Sequence, residues 1–175
     1  MDDKKIKPLY ETFTFRLLSS TLSKLKRHAE EEQISVNTLA NRIFTNYIEW
    51  DMISSKAGWA VWEKHVLKEL IEELDEESII KIATRTADST KNMRLLMTGS
   101  DDIEGFFLIL RNRANRSGFT YQEHKTNGIT KFVLQHNLGK KCSLFFKSHY
   151  EQILNDLGYT AEFDYTNNIL IINLK

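Results

Sequence analysis

The stretch Thr12-Phe13-Thr14-Phe15-Arg16-Leu17 alternates polar and apolar residues without a break, and two short amphipathic stretches follow it at once. Alternation with period two puts Phe13, Phe15 and Leu17 on one face of a strand and Thr12, Thr14 and Arg16 on the other. Ser19 and Ser20 then offer helix N-caps, and Leu18, Leu22, Leu25 and Ala29 recur at helical spacing up to an end near Glu32-Gln33. Ser35 is the next cap. Behind it Val36, Leu39, Ala40, Ile43, Phe44, Tyr47 and Ile48 lay a wide apolar stripe along a second helix. A lone strand in so short a unit has no partner for its backbone N–H and C=O groups, and two helices with such broad apolar faces cannot cover each other.

A second copy of the chain resolves both problems. Two strands paired antiparallel about a two-fold axis bury Phe13, Phe15 and Leu17 against the helices and expose both sets of Thr12, Thr14 and Arg16 together. A two-stranded ribbon fits the DNA major groove, where arginine grips guanine O6/N7 bidentately and threonine bonds base edges or touches a thymine methyl. The start of the second helix, Ser35-Val36-Asn37-Thr38, offers free backbone N–H groups and a partial positive dipole to a phosphate.

Thr-Phe-Thr-Phe-Arg-Leu, then Ala29-Glu30-Glu31 and Ser35-Val36-Asn37, resemble the ribbon-helix-helix repressors of the Arc and MetJ type, with the spacing of Arc kept without a gap. The resemblance covers residues 10–50. It implies an intertwined homodimer in which Thr12, Thr14 and Arg16 contact bases while Ser35, Val36 and Asn37 contact phosphate. One departure stands at the inter-helix turn, where Gln33 replaces the usual glycine. A non-glycine residue in the left-handed conformation costs about 1 kcal/mol, so a slightly different turn is expected.

Charge is distributed sparingly. The chain has 24 basic and 24 acidic residues, and within 1–50 Lys4, Lys5, Lys7, Arg16, Lys24, Lys26, Arg27 and Arg42 exceed Asp2, Asp3, Glu11, Glu30, Glu31, Glu32 and Glu49 by one. A DNA-binding module of this composition must concentrate few cations by geometry instead of relying on a basic excess. The single cysteine, Cys142, excludes an intramolecular disulfide framework and agrees with a reducing compartment. No apolar run is long enough to span a membrane and the start lacks a signal-peptide core, so a cytoplasmic protein without membrane contact is expected.

Beyond the first module, residues 51–58 include Ser54, Ser55, Ala57 and Gly58 and read as a linker. Residues 59–175 then read as a separate domain, helical over 59–117 and ββαββ over 118–175. Trp59, Trp62, Val66, Leu70, Ile71 and Leu74 predict a first helix, and Asp75-Glu76-Glu77 starts a second containing Ile79, Ile80, Ala83 and Ala87. Asp88-Ser89 caps a short third one ending before Gly99, and a fourth after Ser100 carries Ile103, Phe106, Phe107, Leu110 and Ala114 up to Gly118. Thr126-Asn127-Gly128 joins two alternating runs as a hairpin, residues 140–157 form a helix, and Asn167-Asn168 turns a second hairpin. The fold class is therefore α+β: a ribbon-helix-helix followed by a helical segment and a four-stranded antiparallel sheet with helices on one face. Residues 119–175, especially Gln135-His136-Asn137-Leu138-Gly139, are similar to the C-terminal part of uncharacterised archaeal proteins with an Arc-like front end, a resemblance that implies no activity.

His124, His136, Cys142 and His149 form the one metal-like set, and a nickel-responsive ribbon-helix-helix family places such residues behind its DNA module. Here Cys142 and His149 lie two helical turns apart, about 10 Å on a common helix, which is too far for one ion. No metal site or cofactor is assigned. The acids from Glu69 to Glu77 read as a solvated face, and Lys125, Lys131, Lys140, Lys141 and Lys147 can add nonspecific phosphate contacts. No spacing marks a catalytic pair, so an enzyme is not expected. The reading is a transcription regulator that binds double-stranded DNA at a pseudopalindromic site as a homodimer or higher oligomer. The alternatives are an antitoxin-like partner of another protein, or a regulator that senses a metal or small molecule.

Overall fold

The computed structural model describes residues 11–54, 56–126 and 128–174. Asp2, Asp3, Lys4, Lys5 and Lys7 of the charge balance, Ser55 of the expected linker and Asn127 of the expected hairpin lie outside them. The chain divides into two compact units, residues 1–46 and 47–175.

In the first unit, α1 (Ser19–Glu31) and α2 (Val36–Asn46) form as the apolar spacing predicts. The cap of α1 differs: Leu18 occupies the N-cap position without a side-chain hydrogen bond, and Ser19 already belongs to the first turn. Between the helices Gln33 itself takes the left-handed conformation, at φ 56°. Gln33 N–H donates to Glu30 O at 3.0 Å and Ile34 N–H to Ala29 O at 2.9 Å. This pair of bonds is the Schellman closure that glycine usually serves, so the turn keeps its geometry and Gln33 bears the steric cost. Residues 11–18 form no strand, which corrects the expectation for Thr12–Leu17 within a single chain. The physical reason is that a strand exists through its ladder, and the described residues of this unit supply no second strand.

In the second unit a π-helical turn, Tyr47–Asp51, leads into α3 (Met52–Ser54). Gly58, at φ 85°, delays α4 to Lys64–Glu72, so Trp59 and Trp62 precede the helix they were expected to start. Trp59 packs instead on Trp50, with ring centroids 5.0 Å apart. The next helix, α5 (Glu76–Thr98), starts where Asp75 Oδ1 accepts Ser78 N–H at 2.7 Å and ends at left-handed Gly99. It runs through Asp88-Ser89 without a break, against the expected third helix. Ser89 Oγ donates to Thr86 O at 2.8 Å and Thr90 Oγ1 to Ala87 O at 2.7 Å, so these hydroxyls bond back into the same helix and cap nothing. Asp102 caps α6 (Ile103–Arg116) through Gly105 N–H.

The expected ββαββ segment follows: β1 (Thr120–Thr126), β2 (Ile129–Gln135), α7 (Lys140–Asp156), β3 (Ala161–Tyr165) and β4 (Ile169–Leu174). The antiparallel sheet has the order β1-β2-β4-β3, so both hairpins meet along β2 and β4. Phe132 lies opposite Ile172, and Leu134 opposite Leu170. These buried side chains pack on Phe107 and Leu110 of α6 and on Phe146, Ile153 and Leu154 of α7, whereas Lys131 and Gln135 on the alternate positions are exposed. Among the described residues no helix is long and apolar enough to cross a membrane.

Since Gln33 bears a left-handed φ that glycine adopts freely, Gln33→Gly is expected to raise the stability of the first unit by about 0.5–1 kcal/mol. Urea unfolding followed by circular dichroism measures the shift. A lower midpoint would show that the glutamine side chain contributes something the turn geometry does not require.

Candidate nucleic-acid interface

The residues expected to contact DNA lie in two segments of the first unit. Thr12, Thr14 and Arg16 are all exposed in the segment ahead of α1. The apolar residues between them are exposed as well: Phe13 at 84%, Phe15 at 43% and Leu17 at 41%. Phe13 and Phe15 stack at 6.1 Å, and Phe15 meets Phe44 of α2 edge-on at 5.7 Å. The apolar side of the alternation thus faces the helices only in part, with Ile43 and Phe44 also left about half exposed. Ala29 and Leu39 are the buried residues among those described in this unit.

At the start of α2, Ser35 caps as expected. Its Oγ accepts Thr38 N–H at 3.0 Å and lies 2.8 Å from Thr38 Oγ1, while Ser35 O accepts Leu39 N–H. The cap fixes the first turn and leaves Val36 N–H and Asn37 N–H without an acceptor among the described residues. Asn37 is held from its other side, where its carbonyl accepts Asn41 Nδ2–H at 3.0 Å. Two amides without an acceptor among the described residues, on a fixed helix start, are suited to a phosphate oxygen.

The ion pairs separate the module's cations into two groups. Arg42 is bound to Glu32 at 2.6 Å and Arg27 lies 3.8 Å from Glu31, with His28 beside both acids. Arg16, Lys24 and Lys26 have no carboxylate within ion-pair distance among the described residues. Internal pairing consumes the cations near the inter-helix turn and leaves Arg16 available next to the two threonines. This is the concentration by geometry that an almost neutral module requires.

The histidines and cysteine of the second unit are engaged separately. His136 Nδ1 accepts Leu138 N–H at 3.0 Å, so Nε2 bears the proton and donates to Ser143 Oγ at 2.8 Å, which in turn donates to Thr166 O. His149 Nδ1 bonds Ala83 O at 3.1 Å. Burial pushes His136 down to about 4, and burial with the nearby Arg113 does the same for His149. Burial, reinforced by Glu72, raises the Cys142 thiol to about 11, which leaves it protonated and unreactive. Among the described residues no three of these side chains converge as metal ligands.

In the second unit Arg94 and His149 are buried and Arg113 is half-buried, and the sequence reading singled out only His149 of the three. Arg94 continues the buried stripe Ile79, Ala83, Ala87 of α5, Arg113 the stripe Phe106, Leu110 of α6, and His149 the stripe Cys142, Phe146 of α7. A basic residue at an apolar stripe position is a signal that periodicity does contain, once polar exceptions are read as well as apolar matches. No protein-family model matches this chain, and no curated protein is significantly similar to it.

Both buried histidines have folded values below their ordinary 6.5. Their stabilising contribution is therefore complete above pH 6.5 and is lost as the pH falls towards about 4. The urea midpoint of the second unit is expected to drop across that window, and a midpoint constant down to pH 4 would contradict the neutral, buried assignment.

Proposed function

We propose that residues 10–50 form a ribbon-helix-helix dimer that binds double-stranded DNA at a pseudopalindromic site, and that the chain is a transcription regulator. The observation that carries the reading is the segment 11–18, where unpaired backbone and exposed Phe13, Phe15 and Leu17 stand ahead of two helices with half-exposed apolar faces. A second copy supplies the missing strand and the missing cover in one step. Thr12, Thr14 and Arg16 of both chains then line one ribbon in the major groove, and the Ser35-Val36-Asn37 turn of each chain holds a phosphate at either side. The pairing of Arg27 and Arg42 with glutamates favours this division of labour, in which Arg16, with no carboxylate partner among the described residues, reads sequence and backbone amides hold register.

An antitoxin-like role needs a segment that wraps its partner in extended form. Residues 47–175 have instead a continuous buried core across β2, β4, α6 and α7, which weighs against that alternative.

Arg16→Ala is expected to lose roughly 1–3 kcal/mol of discrimination at one base pair per half-site while the helical content stays unchanged. A binding selection from random duplexes, run with both proteins, measures it. An identical sequence preference for the variant would remove base reading from Arg16, and absence of any selected motif would remove sequence-specific binding from the protein.

A further inference from the structure

Buried Arg94 of α5 and His149 of α7, with half-buried Arg113 of α6, line a cavity of about 390 Å³ in the second unit. Its walls include Trp59, Arg94, Arg113, Phe145, His149 and Tyr150. This volume is in the range of small-molecule sites, which combine apolar walls with a few fixed polar groups.

The electrostatics of the walls are one-sided, for among the described residues no aspartate or glutamate lines the cavity. Arg94 is neutralised from behind, its Nη2 lying 2.6 Å from Asp101, which also draws Lys91 to 3.5 Å. Arg113 has no carboxylate partner among the described residues. Its guanidinium sits 5.3 Å from the centroid of the Trp59 ring, 5.2 Å from Phe146 and 6.0 Å from Tyr150. The aromatic faces attract the cation and Tyr150 takes one hydrogen bond from it, but no anionic acceptor faces its remaining N–H donors among the described residues. Trp59, another wall residue, has a buried indole Nε1–H with no acceptor among the described residues. His149 contributes no acid, and its Nδ1 is already committed to Ala83 O. Buried donors normally have acceptors, and among the described residues the Trp59 indole N–H has none.

We propose that this cavity binds a small aromatic carboxylate, whose carboxylate is held by the Arg113 guanidinium and whose ring packs among Trp59, Phe145 and Tyr150. The planar guanidinium matches a carboxylate with two parallel hydrogen bonds, and the aromatic walls cover a flat apolar body. The site lies wholly within residues 47–175 and does not rest on the first unit's binding DNA.

The test uses the full chain and two pairs of probes, 1-naphthoate with 1-naphthamide and indole-3-acetate with indole-3-acetamide, measured by isothermal titration calorimetry. Each carboxylate is expected to bind at least roughly 10-fold more tightly than its carboxamide, since the charge-assisted bonds are lost with the charge. Arg113→Gln is expected to weaken carboxylate binding roughly 10- to 100-fold and to abolish the difference within each pair. Met93→Trp, which fills the cavity from a partly exposed wall position, is expected to block both probes, with circular dichroism confirming the fold of each variant. Equal affinity for carboxylate and carboxamide, no binding by either carboxylate, or carboxylate binding that survives both substitutions would overturn the proposal. The comparison on the unaltered protein decides the matter even where a variant fails to fold.

Discussion

A strand needs a neighbour, and residues 11–18 have none among the described residues. Their backbone groups ahead of Leu18, whose carbonyl accepts Leu22 N–H, have no ladder partner among the described residues, and Phe13, Phe15 and Leu17 are left 84%, 43% and 41% exposed. Burying one phenylalanine or leucine fully is worth about 1.5–3 kcal/mol, whereas association costs roughly 4–15 kcal/mol in lost freedom. Phe13 has most of its burial still to gain, but Phe15 and Leu17 have less than half, so the ribbon alone falls short of that cost. The exposed faces at Ile43 and Phe44 must be covered in the same event. In the dimer we propose, folding of the first module, assembly and display of the polar face are one step, and the outer residues are free to face a ligand because the inner ones hold the ribbon in place.

The second unit solves its own closure problem within one chain. Two hairpins meet along β2 and β4, α6 and α7 cover one face, and the aromatic core lies between them. The polar groups inside this core are arranged differently. His136 is satisfied on both ring nitrogens and acts as a strut between the end of β2, the start of α7 and the turn before β4. Half-buried Arg113 is held by ring faces and a hydrogen bond with Tyr150, with no carboxylate within ion-pair distance among the described residues.

Elements marked by local chemistry were legible in the sequence. Ser35 as a cap, Gly99 and Gly118 as helix stops and the alternating runs of both hairpins all follow from groups acting within a few residues of themselves. Legibility ended where a residue had two local options. Ser89 reads equally as a cap or as a hydroxyl folded back on its own helix, and the packing of α5 against the rest of the unit decided for the second. Trp59 fits a helical stripe, but left-handed Gly58 and the Trp50 ring take it out of α4. Gln33 shows the reverse: the turn keeps the shape that glycine would allow and imposes the cost on the residue present. The cavity was least legible, since it depends on three helices bringing one exception each to the same place. Of the proposed DNA-contacting residues, exposure and the Ser35 cap are visible in one chain, and their convergence requires two.

Sedimentation equilibrium of the full chain, alone and as Phe15→Asp, tests the dependence of the first module on a second copy most directly. The unaltered protein is expected to sediment at twice the chain mass of 20.5 kDa or an even multiple of it, and the ribbon variant at lower mass with reduced helicity. A mass of 20.5 kDa for the unaltered protein at micromolar concentration, with its full helical content, would contradict the account.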